Sequence, residues 1–151
     1  MRIHLAVEQE LLPINRVLLR KVLRSVARRE GWEGNLSVAI VDDRTIQELN
    51  ARFTGRDHPT DVLAFCYGPD QDGIAGEIVV SAETAQRVAA SLDETPEREL
   101  LRYCVHGLLH LCGYNDATPS ERRRMEDRQE QYVRELCSDL KDDNKKRSGS
   151  P

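Results

Sequence analysis

The stretch GEIVVSAETAQRVAASL, residues 76–92, changes period halfway along. Ile78, Val79 and Val80 form the β-branched run of a buried strand, and from Ser81 the spacing turns helical, with Ser81 placed to cap the new helix. The same order recurs upstream. LSVAIVDD (36–43) reads as a strand and DRTIQELNARF (43–53) as a helix, with Asp43 the expected N-cap. Strands and helices in alternation imply a mixed α/β sheet.

Working outward, RIHLAV (2–7) alternates as a strand, and Pro13 opens a helix in which Ile14, Val17, Leu18, Val22, Leu23 and Val26 recur at helical spacing until Gly31. The turn-forming TGRDHP (54–59) precedes a third strand at about residues 61–67, and PDQDG (69–73) marks another turn. Thr95 and Pro96 suit the cap and first positions of a helix that stops near the left-handed candidate Gly113. A charged helix then runs from Thr118 to about Leu136. The expected fold is α/β (α+β), a four-stranded mixed sheet with about five helices. It occupies one domain over residues 1–137, with 138–151 a disordered polar tail.

A formal charge of −4 excludes a protein that coats nucleic acid by bulk charge, so any RNA contact must come from a local patch. One candidate is the first helix, where Arg16, Arg20, Arg24 and Arg28 recur at intervals of four; an ordinary solvated face is the default reading, a strand-guiding face the alternative. No apolar run approaches the roughly 18 residues that span a bilayer, and no secretory h-region opens the chain. A cytoplasmic protein without a membrane partner is expected. Cys66, Cys104, Cys112 and Cys137 lack C-x-x-C spacing, which favours reduced, mostly buried thiols over a disulfide or four-cysteine zinc framework.

The chemistry concentrates in VHGLLHLCGYND, residues 105–116. At about 100° per residue, His106 and His110 lie only about 40° apart on a helix, one turn from each other. Leu101, Cys104, Val105, Leu108 and Leu109 occupy the opposite arc, so the histidines are not part of the core stripe. Gly113 then turns the chain and lets Asp116 present a carboxylate to the same two rings. Two imidazoles and a carboxylate suit one Zn²⁺ with an open fourth position, the mark of a catalytic rather than structural site; two accidental surface histidines are the alternative. In H-E-x-x-H peptidases the residue after the first His is the general base, but here it is Gly107. Glu99, two turns before His106 on nearly the same face, is the nearest candidate carboxylate; a first-turn charge favoured by the helix dipole is its other reading.

At this point a resemblance becomes specific. HGLLHLCGYND resembles the H-G-x-L-H-L-x-G-Y-D-H signature of the YbeY family, and LNARFTGRDHPTDVLAF followed by GEIVVSAETA resembles two further family segments in the same order. The resemblance covers most of residues 36–116. It implies a metal-dependent endoribonuclease acting on single-stranded RNA in ribosomal RNA maturation, at the 3′ end of the small-subunit RNA, and in ribosome quality control. Its implied partners are rRNA and ribosomal particles, with no DNA substrate expected. It also implies one metal ion, zinc or in the alternative another divalent metal, held by His106, His110 and Asp116.

Two positions depart from the pattern. Asp116 stands where a third His is usual, and a carboxylate lowers the net positive charge of the site. Thr54 stands where an Arg often precedes the Gly that matches Gly55; Arg52 and Arg56 flank the gap and could grip a phosphate in its place. The rival readings are a zinc peptidase, disfavoured by Gly107, and a non-catalytic ribosome-assembly factor with a structural metal.

Overall fold

The computed structural model describes residues 1–68 and 73–137; residues 69–72 of the expected turn and the expected disordered tail 138–151 lie outside the described residues. Four strands, β1 (Ile3–Val7), β2 (Asn35–Val41), β3 (Val62–Cys66) and β4 (Ile74–Ser81), form one sheet in the order β1-β2-β4-β3. β1 and β4 run parallel to β2, and β3 pairs antiparallel with β4, which matches the expected mixed sheet. The helices are α1 (Arg16–Glu30), α2 (Asp43–Thr54), α3 (Ala82–Ser91), α4 (Pro96–Leu111) and α5 (Pro119–Leu136).

Alternation along the strands divides the apolar residues between two faces. Leu36, Val38, Ile40, Ile78 and Val80 enter the large core shared with α1, α3, α4 and α5, while Val41 and Val79 join Ile46 of α2 in a smaller one. Phe65 packs against that smaller cluster and meets Phe53 at 5.2 Å between ring centroids, so it serves packing.

Three local expectations need correction. α1 begins at Arg16 rather than Pro13, because the extended Asn15 accepts from Leu18 N at 3.0 Å and caps the helix there. Val17 is 78% exposed; the buried stripe is Leu19, Val22, Leu23 and Val26, the i, i+3, i+4, i+7 face. The cap of α2 is Asp42, which accepts from Thr45 N at 2.8 Å, while Asp43 enters the helix and reaches across to α3. There it accepts from Ser81 Oγ at 2.6 Å, Thr84 Oγ1 at 2.7 Å and Arg87 at 3.0 Å.

On α1, Arg16, Arg24 and Arg28 are exposed, whereas the half-buried Arg20 donates to the carbonyl of Ile3 at 3.3 Å and so ties α1 to β1. Cys104 and Cys137 are buried as expected, and burial pushes their thiols up to about 12 and about 11. Cys66 is exposed, because it ends β3 where the strand leaves the core.

Two glycines set how close α4 lies to the sheet. A Cβ on Gly76 of β4 would stand 2.6 Å from Leu111, and one on Gly107 of α4 would stand 2.8 Å from Ile78 Cγ2 and 3.2 Å from Val62 Cγ2. The helix that bears the histidines therefore rests directly on β3 and β4.

Candidate metal centre

α4 is capped by Thr95, whose side chain accepts from Arg98 N at 3.1 Å, with Pro96 in the first turn as expected. Its buried face includes Leu100, Leu101, Cys104, Val105, Leu108 and Leu109, leaving His106 and His110 half-buried at the other side. Their rings meet edge to face, 4.8 Å between centroids at 80°. The helix ends at Leu111, and Gly113, at φ 104°, turns the chain so that Asp116 returns toward the rings. Asp116 Oδ2 lies 3.9 Å from His110 Nε2.

One donor atom from each of His106, His110 and Asp116 can be chosen so that all lie within 4.8 Å of one another. The imidazole hydrogen bonds say which nitrogens are free. His106 Nδ1 stands 2.7 Å from Gln129 Oε1, and His110 Nδ1 stands 3.2 Å from the carbonyl oxygen of Tyr114. Both partners are acceptors, so these contacts are hydrogen bonds when the proton sits on Nδ1, the tautomer that leaves each Nε2 lone pair available. This is the arrangement of metal-bound histidines, whose second nitrogen donates to an outer acceptor. Burial, and then the neighbouring His106, hold the His110 imidazole below its ordinary pKa against the opposing pull of Asp116, which favours the neutral, ligating form. The residues present fit one small divalent cation with nitrogen and oxygen ligands.

His106 opens onto a cleft of about 540 Å³ that is also lined by Thr60, Glu99, Arg102, Tyr103 and Gln129. Glu99 shares this cleft but is turned to Arg102, with its side chain only 4% exposed. Arg52 and Arg56 are exposed at the C-terminal end of α2, and among the described residues no carboxylate pairs with them. Thr54, at the position of the family's Arg, folds its hydroxyl back onto the carbonyl of Asn50 at 2.7 Å. His58 is an exposed loop residue, its Nδ1 3.0 Å from the carbonyl oxygen of Pro59. Tyr114 is half-buried, and its hydroxyl donates to Glu30.

Sequence reading missed the partners Gln129 and Glu30, which lie 23 and 84 residues from the side chains they hold. No local pattern connects such positions. Gly107 is clearer: its Cβ direction meets Ile78 and Val62 in the core, so the base of an H-E-x-x-H peptidase has no room there.

These features define an α/β protein whose two-histidine, one-carboxylate cluster is borne by a helix packed on a mixed sheet. A family model described as Endoribonuclease YbeY matches residues 5–137. Relatives named Endoribonuclease YbeY include that of Salinibacter ruber, 38% identical over 76% of this chain and 79% of the relative. Another, from Petrotoga mobilis, is 34% identical over 92% of this chain and 98% of its own length. The solution structure of TM1509 from Thermotoga maritima is similar at a TM-score of 0.67 and 29% identity, over 93% of both chains. The chain belongs to the endoribonuclease YbeY family. Among the described residues, no helix is long and apolar enough to cross a membrane.

Proposed function

We propose that this protein is a zinc-dependent endoribonuclease that cuts single-stranded RNA, acting in the cytoplasm on ribosomal RNA and ribosomal particles through a unit spanning residues 1–137. The supporting observation is the convergence of His106, His110 and Asp116, with both Nδ1 atoms engaged by acceptors and both Nε2 atoms left to ligate. A zinc ion held there would supply Lewis acidity and an activated water at neutral pH.

The chain's own residues divide the remaining work. His106 and His110 are the neutral donors, and Asp116 adds a carboxylate that lowers the net charge of the cluster. Arg52 and Arg56 are the proposed cations for the phosphodiester, each exposed and able to present a planar guanidinium. Glu99 stands on the cleft wall with His106; its ion pair with Arg102 supports a role in holding that arginine, and base catalysis is the competing role.

The test is a side-by-side incubation of the metal-loaded chain with single-stranded RNA, duplex RNA, single-stranded DNA and casein. Internal cleavage of single-stranded RNA alone is expected, abolished by a chelator and by His110→Ala while the circular dichroism spectrum is kept. Cleavage that persists in the chelated His110→Ala protein would overturn the reading, and so would casein hydrolysis.

A further inference from the structure

His110 and His106 are oriented by different means. The Nδ1 of His110 faces a backbone carbonyl, that of Tyr114, whereas the Nδ1 of His106 faces a side chain, Gln129 Oε1 at 2.7 Å. A glutamine amide has two ends, and only one of them accepts. Which end faces His106 therefore decides where the proton of that ring sits.

The amide is itself held from behind. Gln129 Nε2 donates to Glu130 Oε2 at 3.1 Å, and Arg102 Nε donates to the same carboxylate at 2.8 Å and 3.2 Å. Arg102 is anchored in turn by Glu99 and by Glu94, the latter at 3.6 Å. Were the amide reversed, its oxygen would face the Glu130 carboxylate, two acceptors in contact. Its NH₂ would then face His106 Nδ1 and force the proton onto Nε2, into the donor cluster. The charged pair Arg102–Glu130 thus selects one orientation of the amide.

We propose that Gln129 is a positioning residue that holds His106 in the Nδ1–H tautomer, its amide oriented by the Arg102–Glu130 pair, so that Nε2 is available to a cation. Only its consequence for metal affinity rests on the function proposed above. Arg102 and His106 are one turn apart on α4 and Gln129 and Glu130 are adjacent on α5, so packing of these two helices builds the chain of hydrogen bonds.

The experiment uses the full ¹⁵N-labelled chain, first without metal, at a pH where the imidazoles are neutral. Long-range proton–nitrogen correlations of the ring separate the two tautomers. The wild type should show Nδ1–H at His106. Gln129→Met, close in size and without a strong acceptor, should show a mixture or Nε2–H at His106, leave His110 unchanged, and lower zinc affinity about tenfold or more. Gln129→Glu combined with Glu130→Gln keeps an acceptor toward the ring and a donor behind it, without setting two carboxylates against each other, and should restore the wild-type ring signals. The proposal is overturned if Gln129→Met keeps the wild-type tautomer, or if the double variant Gln129→Glu, Glu130→Gln loses it as fully as the Met variant. A wild type that binds no zinc would overturn the metal reading, while the tautomer comparison would still decide the role of Gln129.

Discussion

The hydroxyl of Tyr114 donates to Glu30 at 2.9 Å, tying the segment that carries Asp116 to the last residue of α1. Arg128 of α5 donates to the same carboxylate oxygen, also at 2.9 Å, so Glu30 joins α1, α5 and the segment between α4 and α5. With its side chain only 10% exposed, this carboxylate is well shielded from water.

Burial alone would raise the pKa of Glu30, but the hydrogen bonds from Arg128 and Tyr114 outweigh it and hold the carboxyl below its ordinary value of 4.5. A carboxyl depressed in the folded state adds stability that is complete above its unfolded value and is lost as pH falls through the folded one. Glu30→Gln should therefore destabilise by about 1.5–3 kcal/mol at pH 7, and the gap should narrow below about pH 4.5. Urea unfolding of both proteins at pH 7 and pH 4 checks this; a gap that does not depend on pH would contradict it.

His106→Ala should lose metal while keeping the fold, because the buried arc of α4 is untouched and two ligands retain little chelate advantage. Asp116→Ala should weaken zinc binding, and Asp116→His should keep or raise it. Elemental analysis after gel filtration reads the first, and competition with a chromophoric chelator the others. Full occupancy in His106→Ala, or equal affinity in both Asp116 variants, would remove those residues from the site.

Gly107→Ala gains up to about 1 kcal/mol of helix propensity but pushes a methyl into Ile78 and Val62, where overpacking costs about 1–3 kcal/mol. A net loss of stability is expected by calorimetry. Gly107→Glu, which writes the peptidase pattern into the chain, should unfold the protein rather than create casein hydrolysis.

Replacing Arg52 and Arg56 together with Gln should weaken binding to single-stranded RNA with little change in thermal midpoint, since both are exposed. The log–log salt dependence should become shallower by about 0.7 for each phosphate that the variant no longer neutralises. Identical slopes for the two proteins would assign these arginines to solvent.

Glu99→Gln separates the two roles open to that carboxylate. If Glu99 holds Arg102, the variant should cleave RNA with an unchanged pH profile and lose about 1–3 kcal/mol of stability, because the half-buried guanidinium keeps weaker partners. Loss of the acidic limb of the pH–rate profile at unchanged stability would make it the base instead.

Periodicity, caps and turns are short-range properties, and they were readable along the chain. The strand–helix exchange at Ser81, the Thr95–Pro96 start of α4 and the one-turn separation of His106 and His110 each depend on residues within a turn or two of one another. The misplaced details were competitions between neighbours. Asn15 outcompetes Pro13 as the start of α1, and Asp42 takes the cap because Asp43 finds partners in Ser81, the cap of α3, and Thr84 within α3, 38 and 41 residues away in sequence.

What a local pattern cannot contain is the far side of a tertiary interaction. The residues near 106–116 suffice to propose two imidazoles and a carboxylate, because helix geometry and one glycine turn bring them together. Which nitrogen of each ring meets an acceptor and which is left free depends instead on Gln129 and on the carbonyl of Tyr114, and the depth at which α4 rests on the sheet depends on Gly76 and Gly107. A hydrogen bond and a van der Waals contact require coincidence in space, and for residues 23 positions apart that coincidence exists only once α4 and α5 have packed.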